Sequence, residues 1–367
     1  MVTQSPVQLA IDRYVPALTG IRAVAAYLVF IHHYNPAMPG TFAYRLLAQG
    51  YVGVSVFFVL SGFLIYHRYA DRFFQQESWS WRTYLWSRFA RIYPLYALLV
   101  LLTILSSQRT GHPMSASLIS LNLTLTKGFF DDFKFTGIAQ SWSLTVEECF
   151  YLLAPLLFVE LRRVGPVWLS LSLIGMGVLL WLTIGHFPLH GFFGKLSFVS
   201  FYTFFGRSFE FVMGMWLARK WHLGQLPNRP FALLIGGMLL VSCVCWQAVV
   251  PTLVTSPTAL IGSEIVSYNF LLPVAIGLLF ISLLNEKTLI SDLLAGAVLQ
   301  GLGRSSYAFY LIHIGIVSKF MDRTMGSPSG WLRFLLMVLL AHGLYLLIEK
   351  PIHRWLTYKR QAGQCEL

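Results

Sequence analysis

The chain has 367 residues, of which 56% are hydrophobic and 11% are charged, and its formal net charge is +12 at neutral pH. A soluble domain carries about 25% charged residues, so this composition excludes an ordinary soluble protein and predicts an all-α, polytopic membrane protein. The positive charge implies no nucleic-acid partner, because most of it falls in loops that orient membrane helices. Anionic membrane lipid is a natural partner for some of it.

Apolar stretches recur along the whole length and predict about ten membrane-spanning helices, each near the roughly 20 residues that cross a bilayer. We expect one membrane domain over residues 1–367, with no appended soluble domain and no cleavable signal, since residues 1–12 are polar. The apolar segment 118–125 is too short to span. The predicted spans are residues 15–34, 51–68, 88–106, 144–162, 166–185, 198–218, 231–250, 268–285, 303–320 and 331–349.

Basic residues are divided unequally between the two ends of these spans, with 16 of the 27 lysines and arginines on one side. Because cytoplasmic loops carry the basic excess, we expect both termini in the cytoplasm. Arg22 then lies towards the cytoplasmic side and His33 towards the outer side. The basic residues of the expected cytoplasmic side are Arg13, Arg68, Arg72, Arg82, Arg88, Arg91, Arg162, Arg163, Arg219, Lys220, Arg229, Lys287, Lys350, Arg354, Lys359 and Arg360.

Two polar residues, Arg22 and His33, lie within the first span. They are eleven residues apart in sequence, so on a helix they share a face and lie about 16 Å apart along its axis. Charged or titratable groups inside a membrane are costly and indicate a functional site. His33 is therefore a candidate general base. The alternative is an interfacial histidine at a helix end, where polar groups cost little.

Small residues and arginines mark the second and third spans. Gly53 and the Ser61–Gly62 pair allow close helix packing or a break in the backbone. Arg88 and Arg91 share a helix face and suit a phosphate-bearing ligand, because guanidinium binds phosphate through paired hydrogen bonds. Simple anchoring at the membrane surface is the alternative.

The fourth span begins with two adjacent carboxylates. Glu147 is explained by a charge near a helix N-terminus, with Ser143 as the capping residue. Glu148 and Tyr151 are i, i+3 neighbours and face one side of the helix. A glutamate at the depth of His33 would orient the imidazole and stabilise its charged form.

The later spans carry further polar residues. Arg207 and Glu210 are i, i+3 neighbours and are expected to form a structural ion pair that cancels charge inside the bilayer. His342 is expected to be a packed histidine, and Glu349, followed by Lys-Pro, is expected to end the last helix. No two cysteines have metal-ligand spacing, so we expect no metal site and four unpaired thiols: Cys149, Cys243, Cys245 and Cys365.

Taken in order, these segments resemble the acyltransferase 3 family of integral-membrane acyltransferases. Each segment alone is weakly specific, whereas their succession along nearly the whole chain is quite specific. The matching pieces are Arg22 with ten residues to His33; GVSVFFVLSGFLI from Gly53; RFARIYPLY from Arg88; SWSLTVEECFYLLAP from Ser141; Arg207 and Glu210 followed by Gly214; SSYAFYLIH from Ser305 to His313; and Glu349-Lys-Pro351.

The resemblance implies an enzyme that moves an acyl group, often acetyl, from cytoplasmic acyl-CoA to a hydroxyl group, commonly on an extracytoplasmic or lipid-linked glycan. Acyl-CoA would be the donor substrate, and no cofactor would be bound permanently. The functional residues that it implies are His33 as the catalytic histidine, Arg22 as its partner, the Arg88 and Arg91 pair, and the Glu148-x-x-Tyr151 motif.

Two departures from the family pattern are visible. Many relatives carry an acidic residue where Ser55 stands, so the resemblance assigns that position no role here. Some relatives carry an extra extracytoplasmic hydrolase-like domain. We expect its step to be absent here or to be supplied by another protein.

We therefore expect the phosphates of acyl-CoA to bind the two arginines of the third span, with Arg22 nearby. His33 would take the proton of the acceptor hydroxyl as its oxygen attacks the thioester carbonyl. A variant in which His33 carries the acyl group covalently stays open. Trp142, Ser143 and His313 are candidates for binding the acceptor.

Three alternatives remain open on the sequence. The same chemistry can act on a small-molecule acceptor such as a macrolide. A proton-coupled transporter also uses buried Arg, Glu and His, although no inverted repeat is evident. A structural membrane subunit is the third, and the density of intramembrane polar groups argues against it. The expected location is a bacterial cytoplasmic membrane, crossed many times.

Overall fold

The computed structural model describes residues 14–75, 79–226 and 231–363, and within these ranges the chain is all-helical, without a β-strand. Cys365, Arg13 and Arg229 lie outside the described residues, as do the side chains of Lys359 and Arg360. The α-helices are α1 Pro16–His33, α2 Phe42–Leu47, α3 Val52–Gln75, α4 Trp81–Arg109, α5 Ala116–Leu123, α6 Trp142–Arg163, α7 Gly165–Thr183, α8 Leu196–Tyr202, α9 Ser208–His222, α10 Ala232–Leu253, α11 Pro257–Glu264, α12 Leu272–Asn285, α13 Leu289–Ala295, α14 Ala297–Arg304, α15 Ser306–Ile312, α16 Ile316–Met325, α17 Gly330–Leu344 and α18 Lys350–Gly363.

Six continuous helices of the described chain are long and apolar enough to cross a membrane, and the expected number of about ten is not confirmed. These six are Phe42–Gln75, Trp81–Arg109, Gly165–Thr183, Ala232–Leu253, Pro257–Asn285 and Gly330–Thr357. Pro257–Asn285 contains one π-helical segment, Ile265–Leu271, and Gly330–Thr357 contains another, Tyr345–Glu349.

The remaining four predicted spans differ from these six for physical reasons. The first, α1, is only 18 residues long and contains an arginine and two histidines. The fourth, α6, contains three glutamates and ends in two arginines. The sixth is divided between α8 and α9, and the ninth is divided among α14, α15 and α16. Polar side chains and breaks therefore concentrate in these helices.

Two helices form the centre of the bundle. α1 packs against α3, α13, α14 and α15, and α3 also packs against α6, α9 and α12. The polar and interrupted helices thus surround the residues that the sequence singles out.

Glycines bring α3 and α9 into backbone contact. A Cβ atom at Gly214 would lie 2.0 Å from the carbonyl oxygen of Val59, and one at Gly62 would lie 2.1 Å from that of Phe211. Because α3 is continuous from Val52 to Gln75, the small residues serve close packing here and do not break the helix.

The interrupted ninth span turns a buried histidine towards α1. Gly315 lies between α15 and α16 with φ 95° and ψ −139°, a backbone conformation that residues other than glycine seldom adopt. His313, just before this break, is fully buried and its ring lies beside that of His33.

Candidate active site

The main cavity of the described chain has a volume of about 360 Å³ and is bounded by α1, α3, α4 and α6. At its open end, which we call the arginine end, Tyr14, Arg68 and Arg72 are exposed. At its inner end lie Arg22 and Glu147, which also line a second, smaller cavity. The cavity therefore joins a cationic opening to an arginine and a glutamate within the bundle.

Two more arginines, Arg88 and Arg91, line the main cavity, as their three-residue spacing predicts. Arg88 is buried, and its Nη2 donates to the hydroxyl of Tyr69 over 3.0 Å. Its guanidinium also lies 6.0 Å from the centre of the Tyr151 ring. Arg88 is thus held in place before any ligand binds.

Arg22 Nε donates to Ser306 Oγ over 3.3 Å. The charged groups that act on it electrostatically are Arg91, Glu349 and Glu147. Glu349, which the sequence assigned to a helix stop, is buried within the π-helical turn Tyr345–Glu349. That interpretation is wrong in part, because the helix continues to Gly363 and the buried carboxylate interacts electrostatically with Arg91 and Arg22. The sequence signals were a glutamate at a predicted span end and the family segment Glu349-Lys-Pro351.

The smaller cavity, of about 60 Å³, continues from Arg22 and Glu147 towards Ser143 and Tyr310. The hydroxyl groups of Ser143 and Tyr310 lie 3.0 Å apart. Ser143 also donates to the carbonyl oxygen of Gln140 over 3.0 Å, at the first turn of α6. Both side chains are buried, so they close the inner cavity on this side.

Two histidines mark the other end, which we call the histidine end. His33 is exposed at the end of α1, and its ring centre lies 5.2 Å from that of His313. His313 Nδ1 lies 2.7 Å from the carbonyl oxygen of Tyr310 and must donate to it. The other ring nitrogen of a neutral His313, Nε2, is then an acceptor, and among the described residues it has no hydrogen-bond partner.

The structure does not bring Glu148 to His33. Glu148 lines neither cavity, and the charged groups that act on it are Glu147 and Arg88. The reason is the depth of α6 in the bundle. Its first turn contacts Tyr310 through Ser143, and its next turn, which carries both glutamates, lies at the level of Arg22. The expected pairing of Glu148 with His33 is therefore corrected, and Glu147 is the carboxylate that faces the cavities.

Tyr151, unlike Glu148, lines the main cavity. Its hydroxyl is 3.1 Å from Ser61 Oγ, and both residues line the main cavity. Trp142 is half-buried and packs edge-on against Tyr202, with ring centres 4.8 Å apart. Trp142 lines neither cavity, so its nearest contacts are those of packing.

The predicted ion pair on α9 is present. Arg207 Nη2 lies 2.8 Å from Glu210 Oε1, and both side chains are buried. Arg207 also donates to Ser55 Oγ over 2.9 Å. Ser55, at the position where the sequence departs from the family pattern, therefore accepts a hydrogen bond from this ion pair.

A family model described as an acyltransferase domain, acyltransferase 3, matches residues 15–349. The chain belongs to this family. It is 26% identical to the peptidoglycan O-acetyltransferase OatA of Listeria monocytogenes, with 93% of this chain and 56% of OatA aligned. It is also 26% identical to YrhL of Bacillus subtilis, provisionally named a peptidoglycan O-acetyltransferase, with 93% and 55% aligned.

This acyltransferase-family chain spans a little over half the length of these relatives. No solved structure matches it. The family match agrees with the order of the motifs along the chain, and the geometry above shows which of their side chains meet.

Proposed function

We propose that this chain transfers an acyl group, in particular an acetyl group, from acyl-CoA to a hydroxyl group of a glycan. The proposal depends on one observation: a cavity with arginines at its open end and Arg22 beside Glu147 at its inner end. Such a cavity suits a long donor with phosphates at one end and a thioester at the other. The name of the relative OatA supports acetyl transfer and a glycan acceptor.

The arginine end would hold the phosphates of the donor. Arg68 and Arg72 are exposed there, and Arg88 is already positioned by Tyr69. Between this end and Arg22 the wall is largely apolar, and its side chains include Leu18, Leu60 and Leu64. A thin, uncharged pantetheine arm would follow that wall. We place this end at the cytoplasmic side because the basic excess lies there.

The inner end would hold the thioester. Arg22 donates to Ser306 Oγ over 3.3 Å, so its side chain is oriented within the bundle. Arg22, with the hydroxyls of Ser61 and Tyr151 nearby, is therefore assigned to hold the carbonyl oxygen of the donor before the thioester moves on to His33.

His33 would act as the general base for the acceptor hydroxyl, which approaches from the histidine end. The hydroxyl oxygen attacks the thioester carbon, the carbon–sulfur bond breaks, and the proton passes through His33 to the departing thiolate. His313 Nε2 would accept a hydrogen bond from His33 and so fix its tautomer. Tyr310 and Ser143 separate the inner cavity from this histidine pair. The thioester must therefore move past them, from Arg22 to the histidine end, before the hydroxyl attacks it.

The test is turnover of acetyl-CoA by purified protein in detergent, followed as free CoA released with and without peptidoglycan fragments. We expect fragment-dependent release that falls by at least about 100-fold in His33→Gln, the scale of a lost general base. His32→Gln is the matched control, because His32 precedes His33 and instead contacts the carbonyl of Ala48. It should keep most of the activity.

Donor binding is tested separately. Arg91→Gln should weaken CoA binding, whereas Arg163→Gln removes an equal charge from an exposed helix end and should not. Well-folded wild-type protein that neither binds CoA nor releases it from acetyl-CoA would contradict the proposal. Equal activity in the His33 and His32 variants would contradict the assigned base.

A further inference from the structure

The smaller cavity, of about 60 Å³, begins at Arg22 and Glu147 and leads away from the main cavity. These two residues form its mouth, since they line both cavities. Beyond the mouth, apolar side chains of α3 and α6 line the cavity. They are Val54, Phe57 and Phe58 of α3 and Leu144 of α6.

Hydroxyl groups that already have partners close the far end of the smaller cavity. Ser143 donates to the carbonyl oxygen of Gln140 over 3.0 Å, and the Tyr310 hydroxyl lies 3.0 Å from Ser143 Oγ, to which it then donates. Neither hydroxyl therefore has a proton left for a ligand. Of the described residues that line this cavity, only Arg22 is cationic, and it lies at the mouth. The far end suits a methyl group and not a carboxylate.

Aromatic packing fixes the width of the smaller cavity. The Phe58 ring stacks on that of Phe211, with ring centres 4.8 Å apart. The centre of the Phe57 ring lies 5.8 Å from that of the Tyr310 ring. All of these rings except that of Phe57 are buried. Because packed side chains are nearly incompressible, a longer ligand enters only by displacing them.

The volume of the smaller cavity limits the length of an acyl group. A cavity of about 150 Å³ accommodates benzene, a ring of six carbon atoms. A volume of about 60 Å³ therefore suits an acyl group of about two or three carbons. A donor carbonyl held at Arg22 directs its acyl substituent into this space, because the smaller cavity continues from there.

We infer that the smaller cavity is the acyl-binding subsite, that it accepts a short, uncharged acyl group, and that Leu144 and Val54 set the maximum length. The inference rests on the proposed function, which places the thioester carbonyl at Arg22. The acyl group lies ahead of that carbonyl, on the side from which the thioester moves on towards His33. Acetyl and propionyl groups fit. A butyryl group is too long, and a succinyl group is both too long and charged.

The experiment compares kcat/KM for acetyl-, propionyl-, butyryl- and succinyl-CoA, followed as CoA released by the purified full chain with peptidoglycan fragments. One extra methylene in an apolar pocket costs about 10- to 200-fold. We therefore expect wild-type protein to use butyryl-CoA at least about 10-fold less well than propionyl-CoA. Succinyl-CoA should be used no better than butyryl-CoA.

Two variants change the size of the cavity in opposite directions. Leu144→Ala shortens a side chain of the wall and should raise the butyryl-to-propionyl ratio of kcat/KM at least about 10-fold. Leu157→Ala is the matched control, because Leu157 is a buried leucine of α6 that lines neither cavity, and its ratio should equal that of the wild type. Val54→Leu narrows the cavity and should lower the propionyl-to-acetyl ratio. Each ratio is measured on one protein sample, so a loss of folded protein cancels.

Three results would overturn the inference while leaving the proposed function intact. The first is equal use of propionyl-CoA and butyryl-CoA by the wild type, and the second is better use of succinyl-CoA than of butyryl-CoA. The third is a ratio in Leu144→Ala that matches the one in Leu157→Ala or, if Leu144→Ala does not fold, an unchanged ratio in Val54→Leu. Folded wild-type protein that binds no CoA and releases none from any of the four thioesters would instead remove the proposed function, and this inference with it.

Discussion

At the scale of single residues, the adjacent carboxylates of α6 show what the sequence can and cannot predict. Glu147 and Glu148 differ by about 100° around the helix, so only one of them can face a given neighbour. The sequence favoured Glu148 because of its spacing from Tyr151. The structure places Glu147 at both cavities, because the start and rotation of α6 are set by contacts such as that of Ser143 with Tyr310. Those contacts are long-range and leave no local pattern.

The two carboxylates therefore make a matched pair for mutation. Glu147→Gln keeps the size of the side chain and removes the charge beside Arg22, so we expect kcat/KM to fall about 100- to 1,000-fold. Glu148→Gln should cost less than about 10-fold, since this carboxylate lines neither cavity. Steady-state CoA release by both variants, at equal amounts of folded protein, measures the ratio of their kcat/KM values. A larger loss in Glu148→Gln would restore the sequence-based assignment.

A buried lysine outside the predicted spans provides a test by pH. Lys127 is fully buried, and its Nζ donates to the carbonyl oxygens of Thr136 and Ile138. No carboxylate among the described residues forms an ion pair with it. Burial lowers the pKa of Lys127 to about 7. A neutral amine has two N–H groups, which these two carbonyl oxygens satisfy.

The sign of the effect follows from the lowered pKa. Between about pH 7 and the ordinary lysine pKa near 10.5, Lys127 is protonated in the unfolded chain and mostly neutral in the folded protein. Stability therefore rises with pH in this range. We expect the Lys127 contribution to the free energy of unfolding to increase by about 1–2 kcal/mol from pH 7 to pH 9. Thermal unfolding of the wild type and of Lys127→Met at both pH values isolates this contribution, because the effects of other titrating groups cancel in the difference between the two proteins. Equal pH dependence in both proteins would contradict the lowered pKa.

At the scale of elements, helix pairing was partly predictable. Small residues such as Gly62 predict close packing, and α3 does pack closely. The partner of Gly62 was not predictable, because nothing local links α3 to α9, which lies about 150 residues further along the chain. The breaks in the sixth and ninth spans were missed for a related reason. Their apolar composition suits a continuous helix, whereas the buried ion pair and the backbone of Gly315 favour interruptions.

Gly214 tests the helix contact directly. In Gly214→Ala the new methyl group would lie 2.0 Å from the carbonyl oxygen of Val59. The helices must then separate, and we expect a loss of about 2 kcal/mol or more in stability. Gly237→Ala on α10 is the control, because its Cβ meets open space and alanine favours a helix by about 1 kcal/mol. Thermal unfolding in one detergent should therefore shift the two variants in opposite directions.

At the scale of the whole molecule, the two ends of the bundle have different chemistry. Arginines surround the open end of the main cavity, and a histidine pair lies at the other end. The sequence predicted this polarity from Arg22 and His33, since a helix fixes the distance and the face between them. The cavity itself depends on the packing of α1, α3, α4 and α6 and was not predictable.

The polarity gives a prediction about sidedness. Arg163→Cys lies beside the arginine end, because its neighbour Arg162 stacks on Phe74 at the end of α3. His112→Cys lies beyond the other end of α4, which at 29 residues is about 43 Å long. In cells carrying each variant with the native cysteines replaced by serine, a membrane-impermeant maleimide should label His112→Cys from outside. Arg163→Cys should be labelled only after the membrane is opened. The reverse pattern would place the arginine end outside the cell, where acyl-CoA is not supplied, and would exclude it as the donor entrance.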